Sequence, residues 1–477
     1  MNRAIKHLGW AIVVLFLALA GNLVYLQVIE ADELADDPRN IRTLIRDFSG
    51  PRGDILTSDG EVVARSVEVD DEFEYQREYP LGDLMSQVSG YFSFSRGSTG
   101  VEAAYNDELT GRDFDLQVRN LEDLVLGKEN TGNVVLSVSA GAQRAAADAL
   151  GGRKGSVVVL DPNNGEIVAL YSNPTFNPQF LASHDIAAAD EVFRSLEADP
   201  AKPDLARAFR EIYPPGSGFK IVTTAAALDD GLATPTEPVF PSLSSLTLPL
   251  TNTTLQNFGA GVCGGNLTES FVRSCNTTFG QLGLDLGERF PPAMERFGIY
   301  SAPPIDLRPG AVDSAGPEPG TFEQNKPLFA FAGIGQGEVA TTPLQMALVA
   351  AAVANGGVVP EPHVGREIRD DEGTVISRIR PGDWRTAMPA QTAAEISSMM
   401  VEVVQRGTGT AAALPDVTVA GKTGTAENSQ GPTDHAWFVG FAPAESPRFA
   451  IAVLVENAGS GGTVAAPVAG QVLGALL

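Results

Sequence analysis

Apolar positions follow three different rhythms along this 477-residue chain, and each rhythm predicts a different element. From Leu8 to Ile29, LGWAIVVLFLALAGNLVYLQVI is apolar almost throughout, about as long as the roughly 20 residues a helix needs to cross a bilayer. From about residue 40 to 145 short β-like runs alternate with turn signals such as PRGD and SDGE, the pattern of a small, extended α+β module without internal repeats. The strand NVVLSV (133–138) is followed by an alanine-rich helix that stops at Gly151 and Gly152. Beyond it, Val157 to Leu160 and Glu166 to Tyr171 flank the turn Asp161-Pro162-Asn163-Asn164-Gly165 and predict a hairpin. Another apolar run, PRFAIAVLVEN, precedes a last helical segment, VAAPVAGQVLGALL. Strands at both ends with helices between them predict one antiparallel sheet that joins the two ends of a domain, with helices on its faces. The expected organisation is a short N-terminus (1–7), an apolar span (8–29), a non-catalytic module (30–150) and a large α+β domain (151–477).

Charge orients the span. Arg3 and Lys6 precede it, while Glu30, Asp32, Glu33, Asp36 and Asp37 follow, so the positive-inside bias leaves the N-terminus in the cytoplasm and the rest outside. A cleaved signal is the competing reading, since Ala18-Leu19-Ala20 has the small-residue spacing of a cleavage site, but the apolar run continues past it and favours an anchor. A formal charge of −26 with no cluster of Lys and Arg argues against nucleic acid as a partner. His7, His184, His363 and His435 are scattered without metal-ligand spacing, so neither a metal nor a cofactor is expected. GIGQG is not a dinucleotide fingerprint, because Glu338 stands where the third glycine belongs; it reads as a loop before a helix capped by Thr341 or Thr342. The two cysteines, Cys263 and Cys275, are close enough in sequence to form a disulfide outside the cytoplasm, with two buried thiols as the alternative.

The chemistry is in the lysines. There are only seven, and Lys220 stands in YPPGSGFKIVTTAAAL on a helix that reads as buried. Pro214, Pro215 and Gly216 block helix before it, so Ser217 falls in the first turn with Lys220 three residues on, along the same face. A serine hydroxyl becomes a nucleophile when a base removes its proton, and lysine serves once burial or a second positive charge lowers its pKa. Lys422, in the β-like run 417–425, is a candidate for that second charge. Gly421 and Gly424 allow close approach of a ligand, and Thr423 and Thr425 offer hydroxyls to a carboxylate. Between them lies Ser274-Cys275-Asn276, able to relay a proton through Ser274 and to hold a peptide through Asn276, or to be an ordinary turn. A Ser-His-Asp hydrolase would want Gly two residues before the nucleophile, where Pro215 stands.

Taken in order, Ser217-x-x-Lys220, Ser274-x-Asn276 and Lys422-Thr423-Gly424 form the signature of penicillin-binding proteins and class A β-lactamases. The chain resembles a class B penicillin-binding protein of the actinobacterial penicillin-binding protein A group. GPRGDIL and TGVEAAYNDELTG resemble landmarks of that family's N-terminal pedestal or dimerisation module, and GIGQGEVATTPLQMALVAAAVANGG and HAWFVGFAP resemble landmarks of its catalytic domain. The resemblance implies a serine-transpeptidase fold and a peptidoglycan D,D-transpeptidase that β-lactams inhibit covalently. It implies catalytic roles for Ser217, Lys220, Ser274 and Lys422, and substrate-binding roles for Asn276, Thr423, Gly424 and Thr425. Backbone N–H groups of Ser217 and Thr425 would form the oxyanion hole. The implied partners are stem peptides ending in D-Ala-D-Ala, β-lactams and a membrane glycan polymerase of the shape, elongation, division and sporulation family, since the segment before residue 150 is too short for a glycosyltransferase. The implied location is the bacterial cell membrane, single-pass, with the catalytic domain outside. The family often has a hydroxyl residue where this chain has Gly218. A β-lactamase or β-lactam sensor is the alternative, weakened because no Glu-Xaa-Xaa-Leu-Asn segment is found to activate a deacylating water; a noncatalytic scaffold is the remaining one.

Overall fold

The computed structural model describes residues 2–25, 48–113, 116, 131–380, 382–427 and 433–477. The last residues of the expected span, the acidic run after it and Asn428 lie outside them. The chain divides into two compact units, one of Met1–Pro51 with Glu68–Gln76 and the other of Arg52–Val67 with Arg77–Leu477. In the first, Asn2–Val24 is a single helix whose stretch Lys6–Val24 is long and apolar enough to cross a membrane and buries none of that surface.

The second unit holds the five-stranded sheet. β1 (Gly155–Leu160) and β2 (Ile167–Asn173) form the expected hairpin, and β3 (Ala420–Ala426), β4 (His435–Ala442) and β5 (Phe449–Val455) come from the C-terminal end. The order is β3-β4-β5-β1-β2, antiparallel throughout, and the join between the domain's two ends is β5 against β1, with Val453 opposite Val157. Both faces are covered, so the strands read as nearly continuous apolar runs. On one face α1 (Ala140–Leu150) and the C-terminal helix Ala465–Leu476 pack over Val157, Val159, Phe438, Ile451 and Val453. On the other, Val158, Leu160, Val439 and Leu454 belong to one core shared with α2 (Lys220–Asp229), α3 (Asn276–Leu286) and α4 (Pro343–Ala354). The last of these is buried almost end to end; Thr342 caps it, its hydroxyl accepting from Gln345 N at 3.0 Å.

A second sheet shows what the chain order conceals. The strand Asn133–Leu136 pairs on one side with Ile55–Leu56 and on the other with Gly365–Arg369, which in turn pairs with Val375–Arg378. The strands before residue 137 therefore share their sheet with strands from beyond residue 364, while α1, which precedes residue 151, packs on the five-stranded sheet. Near this sheet the landmarks GPRGDIL and TGVEAAYNDELTG meet. Arg52 and Arg77 both donate to the Glu102 carboxylate, at 3.0 and 2.7 Å, and all three side chains are almost wholly buried. Tyr79 adds its hydroxyl at 3.2 Å, and Arg52 lies over the Phe92 ring. Losing one partner of such a group leaves a buried charge uncompensated, at a cost of about 3–5 kcal/mol.

Candidate active site

The nucleophile turn is held from three sides. Gly216 to Phe219 form a single 3-10 turn that runs straight into α2, so Ser217 stands at the mouth of a continuous helix. Gly216 takes φ +52, and a Cβ there would meet Thr425 O at 2.6 Å, so glycine is required both by conformation and by the neighbouring strand. Two landmarks to which sequence reasoning gave no chemical task act here. From HAWFVGFAP, Trp437 Nε1 donates to Pro214 O at 2.9 Å; from GIGQG, Gly335 O accepts from Gly216 N at 2.9 Å. Upstream, Tyr213 and Thr341 exchange backbone hydrogen bonds, and the Tyr213 hydroxyl donates to Glu456 at 2.8 Å. Their only sequence signal was membership in a landmark or nearness to Ser217.

The three candidate motifs converge on one cleft of about 1070 Å³, lined by Ser217, Ser274, Asn276, Thr423 and Thr425 among others. Lys220 is fully buried, and its Nζ donates to Ser274 O at 2.8 Å, Ser274 Oγ at 3.2 Å and Asn276 Oδ1 at 2.8 Å. Lys422, equally buried on β3, donates to Ser274 Oγ at 2.9 Å and to Thr423 O at 3.1 Å. Ser274 thus lies between two lysines. Its φ of +61 is unusual for a residue with a side chain and marks backbone held in place by its surroundings. Among the described hydrogen bonds none joins Lys220 to the Ser217 hydroxyl: the lysine is committed to the second motif, and catalytic contacts of this kind commonly tighten only with substrate bound.

Burial pushes both amines toward the neutral form, more strongly than their acceptors and the Phe279 and Phe271 rings beside them hold the charge. Lys220 is held well below the ordinary lysine value by burial first and by the charge of Lys422 second. Lys422 is pushed down to about 7 by burial.

Small residues on β3 make room for this packing. A Cβ on Gly424 would meet Pro215 O at 2.6 Å and Trp437 Cβ at 2.9 Å, and one on Gly421 would enter the Phe438 ring. Thr423 Oγ1 bonds Thr408 Oγ1 at 2.6 Å, and Thr425 Oγ1 accepts from Gly461 N at 3.3 Å. Asn276 Nδ2 donates to Gln256 O at 2.9 Å, and the Cys263 and Cys275 sulfurs are bonded, with Cα atoms 5.4 Å apart. His435 accepts from Asn457 N through Nδ1 and packs edge-on against Tyr213.

Known proteins share this architecture. The penicillin-binding protein transpeptidase domain family matches residues 155–474, and the penicillin-binding protein A dimerisation domain family matches residues 52–135. The peptidoglycan D,D-transpeptidase PbpA of Mycolicibacterium smegmatis is 38% identical over 496 residues, spanning 100% of this chain and 99% of its own. The protein of the same name from Mycobacterium tuberculosis is 38% identical over 498 residues, with the same coverage. Among solved structures, a ceftriaxone acyl-enzyme complex of penicillin-binding protein A from M. tuberculosis superposes with a TM-score of 0.83 at 36% identity, over 91% of this chain and 100% of that one. With a family match over most of its length, the chain belongs to the class B penicillin-binding protein transpeptidases.

Proposed function

We propose that Ser217 is the acyl nucleophile of this peptidoglycan D,D-transpeptidase and that Lys220, Ser274 and Lys422 move its protons. The observation that carries the reading is the unbroken chain Lys220–Ser274–Lys422 along the cleft into which Ser217 opens. Neutral Lys220 takes the Ser217 proton as Oγ attacks the carbonyl between the last two D-alanines of a stem peptide. Backbone N–H groups of Ser217 and Thr425 stabilise the oxyanion, a contribution of about 3–4 kcal/mol for each donor. The C–N bond then breaks, and the leaving amine receives a proton through Ser274, with Lys422 at its far side, to depart as D-alanine. An amine from a neighbouring stem attacks the ester, its proton passing through Lys220 to Ser217 Oγ as the Ser217 C–O bond breaks, so that the cross-link closes and the serine is restored. Asn276 holds the donor backbone, while Lys422, Thr423 and Thr425, with Gly424 giving close approach, bind the terminal carboxylate. β-Lactams acylate the same serine.

The domain reading is an anchor through the N-terminal apolar helix, a non-catalytic module to about residue 150 and a transpeptidase domain from 151. It places the catalytic domain outside a bacterial cell membrane. The charge asymmetry around the helix supports that orientation, and the absence of space for a glycosyltransferase supports a separate glycan polymerase as partner. The test is turnover of a D-Ala-D-Ala stem peptide with an amine acceptor. Equal release of D-alanine and cross-linked product, lost in Ser217→Ala, is the expected result; hydrolysed β-lactam in place of a stable adduct would favour the β-lactamase.

A further inference from the structure

Glu456, the first residue after β5, gathers three donors on one buried carboxylate. Its Oε1 accepts from the Tyr213 hydroxyl at 2.8 Å and from Arg207 Nε at 2.9 Å, and its Oε2 pairs with Lys154 Nζ at 3.0 Å. Arg207 is itself buried, and its other nitrogens donate to the carbonyls of Ala201, Lys202 and Leu205, so the guanidinium is fixed from both sides. Burial alone would push the Glu456 carboxyl up. Hydrogen bonds from Lys154 and Tyr213 and the charges of Lys154 and Arg207 outweigh it and hold the group below the usual glutamate value.

Two segments leave this carboxylate toward the reaction site. Tyr213 lies four residues before Ser217, and between them Trp437 holds Pro214 O while Gly335 holds Gly216 N. The Tyr213 ring makes T-shaped contacts with His435 and Trp437 of β4, at 5.5 and 6.4 Å between centroids, and its hydroxyl ties the ring to Glu456. In the other direction the chain runs from Glu456 onto β3. Asn457 N donates to His435 Nδ1 at 3.1 Å, Ala458 N and Gly459 N both donate to Asp434 O at 2.9 Å, and Gly461 N donates to Thr425 Oγ1 at 3.3 Å. A Cβ on Gly461 would run into Gly424 O and Trp437 O, so this segment lies directly on the strand that carries Thr425. An oxyanion hole works only when the spacing of its donors is set before the reaction, and Glu456 stands at the start of both segments that lead to Ser217 and Thr425.

We propose that Glu456 is a positioning residue for acyl transfer: through Tyr213 and the segment 457–461 it sets the separation of the two oxyanion donors. The inference rests on Ser217 being the nucleophile, with its N–H and that of Thr425 facing the oxyanion. Benzylpenicillin acylation, resolved into a noncovalent constant and a maximal rate, separates binding from chemistry. Phenylacetamidomethylboronic acid, whose boron takes the Ser217 oxygen to form a tetrahedral anion, reads the hole without bond cleavage. In the full chain in detergent, Tyr213→Phe keeps the ring and removes the tether. It lowers the maximal rate roughly tenfold, a fraction of the loss from removing a hole donor outright, leaves the noncovalent constant unchanged and weakens the boronic acid by the same factor. Glu456→Gln keeps an oxygen facing Tyr213 and Arg207 and holds both readings within about threefold of the unsubstituted chain, a neutral acceptor being roughly half as strong as a charged one. Glu456→Met with Arg207→Met removes the acceptor without leaving a buried charge alone. That pair falls as Tyr213→Phe does, and adding Tyr213→Phe to it changes nothing further. Tyr213→Phe decides the matter even where the paired variant does not fold. A Tyr213→Phe chain that acylates at the unsubstituted rate, or whose loss falls on the noncovalent constant and spares the boronic acid, would overturn the positioning role and leave Ser217 as the nucleophile. Failure of the unsubstituted chain to acylate on Ser217 would overturn both.

Discussion

Lys422 Nζ donates to the Ser274 hydroxyl at 2.9 Å, and Lys220 reaches the same oxygen at 3.2 Å, so two buried amines share one acceptor. Groups this close titrate as a pair. On the proposed mechanism acylation needs Lys220 neutral and Lys422 positive, so its rate against pH is bell-shaped: the acid limb follows protonation of Lys220, and the alkaline limb follows loss of the Lys422 charge, centred at about 7. Lys422→Arg keeps a positive charge at every pH and moves the alkaline limb upward while leaving the acid limb in place. Stopped-flow acylation between about pH 5 and 10 measures both limbs. An alkaline limb that stays put would assign it to another group.

The same lysine links stability to pH. Its ordinary value of 10.5 falls to about 7 in the fold, so between those limits the unfolded chain binds more protons than the folded one. Stability contributed by this site therefore rises with pH across that window, by up to about 1.4 kcal/mol per pH unit, and the full burial cost is felt below it. Lys422→Met removes the titration. Its stability advantage over the unsubstituted chain is largest near neutral pH and shrinks toward pH 10, as followed by urea unfolding; parallel curves would contradict the assignment.

Gly424→Ala tests the contact between β3 and the nucleophile turn. The added methyl would meet Pro215 O and the Trp437 side chain, so the turn carrying Ser217 has to move. Displacement of reacting groups by about 1 Å costs on the order of a hundredfold in rate, and that is the expected fall in penicillin acylation. A rate within a few-fold of the unsubstituted enzyme would show that the turn is positioned independently of β3.

The Cys263–Cys275 bond closes a loop of sequence separation 12 that contains Ser274. Constraining the unfolded chain over such a loop is worth about 3 kcal/mol, so the paired Cys263→Ser and Cys275→Ser substitutions lower the unfolding free energy by that order. Reductant lowers it in the unsubstituted chain and not in the double variant. Insensitivity of both to reductant would mean that the thiols are not bonded in solution.

Sheet and site differed in how far the sequence exposed them. The β1–β2 hairpin and the apolar run of β5 announced themselves by turn residues and strand length, and their joining in one sheet was expected from strands at both ends of a segment with helices between. Ser217, Lys220, Ser274, Asn276 and Lys422 could be singled out because they stand in short motifs of fixed spacing, and the structure brings those motifs together. What stayed hidden depends on long-range contact. Nothing local to Gly365–Arg369 says that it completes a sheet begun by Ile55–Leu56 and Asn133–Leu136, and nothing in NFGAGV says that its phenylalanine faces the cleft. The relay role read for Ser274 anticipated its hydroxyl beside Lys220, but not that Ser274 O and Asn276 Oδ1, 54 and 56 positions away, would take the same amine.

The most direct measurement is the mass of the peptide that contains Tyr213 to Leu228 after the full chain has reacted with benzylpenicillin. The account predicts one penicilloyl adduct on Ser217 that persists for hours and is absent from Ser217→Ala. An adduct on another residue, or one that forms equally in Ser217→Ala, would contradict it.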